Sequence, residues 1–335
     1  MFKKILALLI LLLLGIALYA YFSFPKTITK QAVEEEKTIR RITDESVISP
    51  VSSFDGDAVW YGLSSGKIMW FDLFEQNSSE YPITQPPTDD FFRIFWPISG
   101  NDFIAQGTNS GAPVFSYFNN SQKKFDILPP NVTNLDWLKD GRRIVLVWQS
   151  DDKKVQLVTS NADASGYSVI RELPWADMVP KASPKVNTVL MYKNIPSGDV
   201  NKIYMFNLDT AEYEEVISEG KNTGVLWSPK GDRFAFSRIL GSQPYIFIYD
   251  LTTKKIAETG LKSTIDRVAF DSTGSKLLGV NNETDSDSLV SIDLGSLNME
   301  TIIKFGNNFT AKNLVPVGQK IFFVGVPDGK LYLAE

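Results

Sequence analysis

Histidine and cysteine are both absent from the 335 residues of this chain. Without cysteine the chain cannot form a disulfide bond, a thiolate nucleophile or a lipid-modified cysteine anchor. Without histidine it lacks the side chain that enzymes most often use as a general base, and the loss of both residue types removes the usual zinc ligands. Any catalytic site would therefore depend on Asp, Glu, Tyr or Arg.

Basic residues are fewer than acidic residues in this chain. The chain has 34 Lys and Arg against 39 Asp and Glu, which gives a net charge of -5 and a sequence pI near 5.1. A general nucleic-acid-binding protein needs a basic surface that neutralises phosphates. We therefore predict no nucleic-acid partner.

What the sequence does contain is a repeat of short apolar segments around a polar turn. Its clearest copy is Trp227-Ser228-Pro229-Lys230-Gly231-Asp232 followed by the apolar triplet Phe234-Ala235-Phe236. The repeat positions are 41 to 45 residues apart, a period typical of β-propeller blades. They are Gly56, Gly100, Gly141, Val186, Gly231, Gly274 and Gly318.

An apolar triplet begins three residues after each of these seven positions, as in Ile144-Val145-Leu146. Continuous apolarity indicates a strand that is covered on both faces. The strands of a two-sheet sandwich would alternate apolar and polar residues instead, because their outer faces are wet. The pattern therefore predicts seven blades, each packed between two neighbours.

The N-terminal region predicts a membrane anchor. Residues 5–24 form an uncharged, mostly apolar run preceded by Lys3 and Lys4, and a helix of this length spans about 30 Å. We expect a cytoplasmic tail at residues 1–4 and a single transmembrane helix at 5–24, with the rest of the chain outside the cytoplasm. A cleaved signal peptide is the alternative that the sequence leaves open.

Residues 25–37 are polar, and we predict that they form a stalk. The propeller is then predicted to comprise residues 38–335. The seventh blade is short of one strand, because only two strands follow Gly318. The segment Thr38–Ile42 precedes the first blade and is long enough to supply the missing strand. We therefore predict an all-β, seven-bladed propeller that is closed by an N-terminal strand, an arrangement that removes exposed sheet edges.

The segment Trp227–Phe236 resembles the repeat of TolB-type and WD40-like propellers, in which W-S-P-D-G precedes a strand. Residues 245–251 look like the third strand of the same repeat, which runs into an Asp turn at Asp250. The resemblance covers residues 38–335 and is sharpest in the fifth blade, where Lys230 replaces the usual Asp. It implies a propeller fold and a binding platform, without a specific ligand.

No catalytic motif accompanies the repeat. The chain has neither a G-x-S-x-G elbow nor room for an α/β-hydrolase domain. Phe92-Arg93-Ile94-Phe95 resembles the F-R-I-P element of sialidases, but Phe95 replaces the proline and the S-x-D-x-G-x-x-W boxes are missing. The sequence therefore predicts that the chain is not an enzyme and needs no metal or cofactor. A sialidase-like or other hydrolytic propeller enzyme is the alternative.

The loops on one face of the propeller are the predicted binding surface. Loops between second and third strands, and between consecutive blades, emerge on the same face. Aromatic and charged side chains on loops over a rigid scaffold suit partner binding, although the aromatic ones could instead hold neighbouring blades together. The candidate residues are Asp90, Phe91, Trp148, Asp152, Trp175, Asp177 and Arg238.

These features predict a membrane-anchored, extracytoplasmic propeller that acts as a non-catalytic binding module. Its expected partners are the membrane, through residues 5–24, and a protein or envelope ligand. An envelope sensor that binds a glycan in the central channel is a further alternative.

Overall fold

A computed structural model describes residues 38–83, 87–88, 90–193, 200–283, 286–306 and 308–335. The predicted tail, transmembrane helix and stalk at residues 1–37 lie outside the described residues. Within the described ranges, no helix has the length and apolarity to cross a membrane.

The described chain folds into seven four-stranded antiparallel sheets, which confirms the predicted seven-bladed propeller. The chain enters the fold as β1 (Ile39–Arg41). Blade one comprises β2 (Val47–Ser52), β3 (Ala58–Leu63), β4 (Ile68–Asp72) and β5 (Ser78–Tyr81). Blade two comprises β6 (Asp90–Phe95), β7 (Phe103–Asn109), β8 (Ala112–Asn119) and β9 (Lys124–Ile127). Blade three comprises β10 (Val132–Trp137), β11 (Arg143–Gln149), β12 (Val155–Asn161) and β13 (Ser168–Leu173).

The remaining blades follow the same order of strands, from the innermost to the outermost. Blade four comprises β14 (Met178–Ala182), β15 (Thr188–Lys193), β16 (Ile203–Asn207) and β17 (Tyr213–Ile217). Blade five comprises β18 (Lys221–Trp227), β19 (Arg233–Leu240), β20 (Gln243–Asp250) and β21 (Lys255–Lys262). A 3-10 turn (Ile265–Arg267) leads into blade six, which comprises β22 (Val268–Phe270), β23 (Lys276–Asn281), β24 (Ser288–Asp293) and β25 (Met299–Lys304). Blade seven contains β26 (Ala311–Val317), β27 (Lys320–Gly325) and β28 (Leu331–Ala334).

The fourth strand of blade seven is β1, as predicted from the segment Thr38–Ile42. It pairs antiparallel with β28, placing Ile39 opposite Ala334 and Arg41 opposite Tyr332. The backbone amide of Ile42 donates to the carbonyl oxygen of Leu331 at 2.8 Å and extends the pairing beyond β1. The first and last strands of the propeller therefore share one sheet.

The apolar triplets lie on the second strands and are covered on both faces. In β11, Ile144 and Leu146 pack in a cluster with blade two. The alternate residues Val145 and Val147 pack in a separate cluster with blade four, and all four side chains are fully buried. Because neighbouring blades cover opposite faces of the strand, every position in it has to be apolar.

The turns between first and second strands explain the glycine repeat. Gly56, Gly100, Gly141, Gly231, Gly274 and Gly318 all have φ between 61° and 91°, a region that favours glycine. The exception is the turn at Val186, where no residue from Ser183 to Asn187 has a positive φ. There the Ser183 hydroxyl accepts hydrogen bonds from the amides of Lys185 and Val186 at 3.3 and 3.4 Å.

Candidate functional site

Each innermost strand starts at one face of the propeller, called here the upper face, and ends at the glycine turns of the lower face. Because the strands of each blade are antiparallel, the second-to-third-strand loops and the connections between blades also lie at the upper face. All seven predicted site residues are on these segments or at the adjoining strand ends.

Trp175 and Asp177 come together with Lys193 at the junction of blades three and four. The Lys193 ammonium lies 4.4 Å from the centre of the Trp175 ring and 3.9 Å from the Asp177 carboxylate. Trp175 is 40% exposed, which is unusual for the largest apolar side chain. Lys193 orients an indole that remains open to solvent.

A groove of about 440 Å³ begins beside Trp175 and continues along the outer strands. Its walls include Arg171 from β13, together with Tyr204 and Tyr213 from β16 and β17. The Arg171 guanidinium lies 4.5 Å from the centre of the Tyr213 ring and donates a hydrogen bond to the carbonyl oxygen of Ala211 at 3.3 Å. These contacts join blade three to blade four and hold the aromatic wall in place.

Tyr213 contributes a broad aromatic surface to the groove. It stacks on Phe206 with ring centres 5.0 Å apart and meets Tyr204 edge-on at 5.9 Å, while it remains 48% exposed. Burial raises the pKa of Tyr204 above the ordinary value of 10.0, against a smaller opposing effect of Lys202, and its phenol is a neutral hydrogen-bond donor at physiological pH. The groove thus combines apolar rings with hydroxyl and guanidinium donors.

Phe91 and Asp90 do not join this groove, because they lie at the start of blade two. The Phe91 ring packs against Gly62 of blade one, where an added Cβ would come within 3.0 Å of it. Asp90 is exposed and accepts a hydrogen bond from the Thr108 hydroxyl at 3.2 Å. Phe91 therefore holds two blades together, the alternative role considered for it above.

Trp148 and Asp152 lie on blade three but serve local contacts. Trp148 is half-buried, packs on the cluster between blades two and three, and stacks on Tyr167 with ring centres 6.2 Å apart. Asp152 accepts a hydrogen bond from the Ser150 hydroxyl and pairs with Lys154 at 3.2 Å. It stabilises its own turn.

Arg238 belongs to a buried polar network rather than to an open surface. Its Nε donates to Asn222 Oδ1 at 3.1 Å, and its guanidinium lies 5.2 Å from the ring centres of Phe236 and Phe247. Asn222 is in turn bonded to Asn201, whose amide donates to the Asn222 carbonyl oxygen at 2.7 Å. The network joins blades four and five.

A second group of ionisable side chains lies on strands near the central channel. Arg93, Asp136 and Lys181 come from the innermost strands of blades two, three and four. The Asp136 carboxylate accepts the backbone amide of Ala182 at 3.0 Å. Burial lowers the pKa of Lys181, with Asp136 opposing and Arg93 adding to the effect, and burial raises the pKa of nearby Tyr192 to about 12.

The sequence does not predict most of the groove. Arg171, Tyr204 and Tyr213 lie on third and fourth strands, outside the upper-face loops in which the sequence predicts the binding surface. One signal is present in the sequence, since residues 203–207 alternate apolar and aromatic side chains, which places Tyr204 and Phe206 on the same face of β16. Lys193 could not be placed near Trp175 without the pairing of Met178 with Lys193 in blade four.

Comparison with known proteins confirms the fold. No protein-family model and no curated protein sequence matches the chain. An oligogalacturonate lyase from Vibrio parahaemolyticus is similar, with TM-score 0.67, 13% identity, and coverage of 90% of this chain and 94% of the lyase chain. The Cps50 (Swd1) propeller domain from Myceliophteria thermophila gives TM-score 0.61 and 11% identity over 88% of this chain and 99% of that one.

The propeller domain of the trilobed protease from Pyrococcus furiosus is also similar, with TM-score 0.60 and 14% identity over 87% of this chain and 95% of that one. It is described as having an open velcro topology, whereas β1 closes the ring here. The TolB-type likeness stays a resemblance, because no family model supports it.

The lyases overturn the prediction that this chain is not an enzyme. That prediction relied on the missing His and Cys and on the missing hydrolase domain. The match to this chain covers 92% and 94% of the two lyase chains. Proteins with an architecture like this one can therefore be enzymes without a hydrolase domain. At 13% identity the likeness shows the fold and assigns no activity.

One of the matched lyases is in complex with manganese. The residues of this chain do not fit that ion well. The sequence has no His, and within the described part no group of three or more Asp and Glu is placed to hold a metal ion. The chain is a seven-bladed β-propeller with an aromatic groove between blades three and four.

Proposed function

We propose that this chain is a membrane-anchored, extracytoplasmic propeller that binds a protein partner through the groove between blades three and four. The observation that carries the proposal is the open aromatic wall formed by Trp175 and Tyr213 beside the Arg171 guanidinium. Trp, Tyr and Arg are the residues that dominate binding energy in protein interfaces. Here their side chains are already oriented by contacts within the propeller, which reduces the entropy lost on binding.

The predicted anchor at residues 5–24 supports the location. Lys3 and Lys4 precede the apolar run and favour a cytoplasmic N-terminus, which directs the propeller to the other side of the membrane. A tethered binding module gains effective concentration for partners in the same membrane.

Site-specific photo-crosslinking in the native membrane tests this function. A photoreactive phenylalanine analogue replaces Tyr213 in the full chain, and the matched control position is Ile256, which is 46% exposed on the outermost strand of blade five. We expect one defined protein adduct from position 213, lost when Arg171→Glu is added, and none from position 256. Equal adducts from both positions would refute the proposed groove.

A glycan ligand is the competing outcome. If position 213 gives no protein adduct while a glycan panel shifts the melting temperature of the full chain, the envelope-sensor alternative replaces protein binding. If Trp175→Ala abolishes that shift, the groove is retained as the binding site and only the class of ligand changes.

Lyase activity is a second candidate, favoured by the channel residues. Lys181 has a lowered pKa and thus a larger fraction of neutral amine, as a general base requires, and Arg93 can pair with a carboxylate. Incubation with oligogalacturonate, followed by ultraviolet absorbance of the unsaturated product, tests it. Activity lost in Lys181→Met and kept in the exposed-site variant Lys185→Met would support catalysis; no product with the wild-type chain would rule out this substrate.

A further inference from the structure

Three of the seven tryptophans gather at the lower face, between blades one and two. Trp60 of β3 lies opposite Trp70 of β4 with ring centres 5.4 Å apart, and Trp96 approaches from blade two at 6.3 Å. All three are half-buried, whereas large aromatic residues in other blade interfaces, such as Phe234 and Phe322, are fully buried. The tryptophans line a cleft of about 440 Å³.

The tryptophan rings are held in fixed positions. Trp96 Nε1 donates to the carbonyl oxygen of Ser49 at 2.6 Å. Tyr81 packs edge-on against both Trp60 and Trp70, at 5.1 and 6.0 Å. Lys123 lies 4.3 Å from the centre of the Tyr81 ring, and its ammonium donates to the Tyr81 hydroxyl and Asn120. Lys123 thus braces the far side of the cluster and is not a wall of the cleft.

The charge around the cleft is negative. Its wall contains Asp55 and Asp57 from the turn after β2 and Asp72 from the end of β4, and it contains no Lys or Arg. Among the described residues none of these three carboxylates forms an ion pair. Asp57 accepts the Ser53 hydroxyl through Oδ1 and is hydrogen-bonded to the Asp55 carboxyl. Asp72 accepts two backbone amides through Oδ1, so its second oxygen is free of described donors.

We propose that this cleft binds a cationic side chain, Lys or Arg, carried on an apolar segment of a partner protein. Indole faces attract cations through their quadrupole, and carboxylates at the rim add direct charge complementarity. The energy of a cation over Trp is greatest where water is excluded, which a half-buried cleft provides.

The surroundings of the cleft favour a protein segment over a small ammonium compound. Phe54 and Phe74 are 81% and 85% exposed and flank the acidic turns, and Ile98 on the opposite wall is 38% exposed. Such exposed apolar side chains next to a pocket are typical of protein-interaction surfaces. An anionic lipid surface is disfavoured, because three carboxylates would face it.

The chain offers a closely matched pair of variants for the test. Asp72 and Asp293 hold the same turn in blades one and six, each accepting two backbone amides through Oδ1. Only Asp72 lines the cleft. Replacement by Asn keeps the turn-stabilising oxygen and removes the charge in both variants. Asp293 also accepts the Ser296 hydroxyl at 2.9 Å, so any extra cost of Asp293→Asn falls on its own turn and not on the cleft. Trp70→Phe and Trp148→Phe are a second pair, inside and outside the cleft.

The probe is the peptide acetyl-Leu-Arg-Leu-amide, titrated into the full chain in detergent and followed by tryptophan fluorescence. The same peptide with citrulline, which is nearly isosteric and uncharged, is the reference. We expect saturable binding of the arginine peptide and at least about fivefold weaker binding of the citrulline peptide, since about 1 kcal/mol separates a charged from a neutral group at such a site. Binding of the arginine peptide should also weaken at high salt, because salt screens its charge. Asp72→Asn and Trp70→Phe should weaken binding severalfold, and the two controls should leave it unchanged.

Three results would overturn this inference. The citrulline peptide could bind as tightly as the arginine peptide, or Asp72→Asn could bind like Asp293→Asn. Alternatively, choline or phosphatidylcholine vesicles could compete more strongly than the peptide, which would assign the cleft to a small ammonium group or a lipid headgroup. Circular dichroism of each variant checks that it is folded. None of these results bears on the groove between blades three and four.

Discussion

Trp227 Nε1 donates a hydrogen bond to the carbonyl oxygen of Lys181 at 2.8 Å and so joins the innermost strand of blade five to that of blade four. Trp137 makes the equivalent bond to Phe95 of blade two, also at 2.8 Å. The tryptophan of the repeat is therefore an inter-blade connection. Its conspicuous place in the sequence reflects the assembly of the ring, and Trp96 makes the same bond to Ser49 of blade one while its ring also lines the cleft between blades one and two.

Replacement of Trp227 by Phe should destabilise the propeller by about 1–3 kcal/mol, because the partly buried carbonyl oxygen of Lys181 loses the indole as a donor. Trp148→Phe is the control, since Trp148 is half-buried and its indole donates to no described residue. Urea unfolding followed by far-ultraviolet circular dichroism measures both. Equal losses for the two variants would mean that packing, and not the hydrogen bond, accounts for the effect.

Proline substitutions test the closure of the ring by β1. Thr38 exchanges two backbone hydrogen bonds with Glu335, and the Ile42 amide donates to the carbonyl oxygen of Leu331. The alternation of an antiparallel pair therefore directs the Arg40 amide toward β28 and the Arg41 amide away from it. Arg40→Pro should therefore cost about 1–3 kcal/mol more than Arg41→Pro. Thermal unfolding of the full chain is the measurement, and similar midpoints for the two variants would contradict closure by this strand.

Lys181 should make stability depend on alkaline pH. Burial lowers its pKa in the folded state below the ordinary value of 10.5, so the charged form opposes folding at neutral pH. This penalty is fully present below the folded pKa and disappears as pH rises toward 10.5. Lys181→Met should be more stable than the wild type at pH 7, with the difference shrinking on the way to pH 10.5. In urea unfolding, a difference that stays constant with pH, or one matched by Lys185→Met, would contradict this account.

Two glycine substitutions separate backbone strain from steric contact. Gly318 has φ 61° and open space around it, so Gly318→Ala should cost about 1–2 kcal/mol from the left-handed conformation alone. Gly231 has φ 65°, and a Cβ there would lie 2.8 Å from the Ser183 hydroxyl oxygen, so Gly231→Ala should cost more. Guanidinium unfolding compares them, and an equal loss would show that Ser183 moves aside freely.

Only part of the groove is predictable from the sequence. The sequence predicts Trp175 and Asp177 because they follow a strand on a connection between blades. It does not predict Arg171 and Tyr213, because their roles depend on the packing of one outer strand against the next blade. Phe91 and Arg238 lie at strand ends of the same face as Trp175, yet in the structure they hold blades together.

The sequence by itself determined the number of blades, the glycine turns and the strand that closes the ring. These features depend on local rules: a positive φ at Gly231, and apolar side chains on both faces of strands such as β11. Only the tertiary structure decided which aromatic side chains remain open. Trp60, Trp70 and Trp96 are separated by up to 36 residues, and their meeting at one cleft depends on how two blades are rotated against each other, which no local pattern encodes.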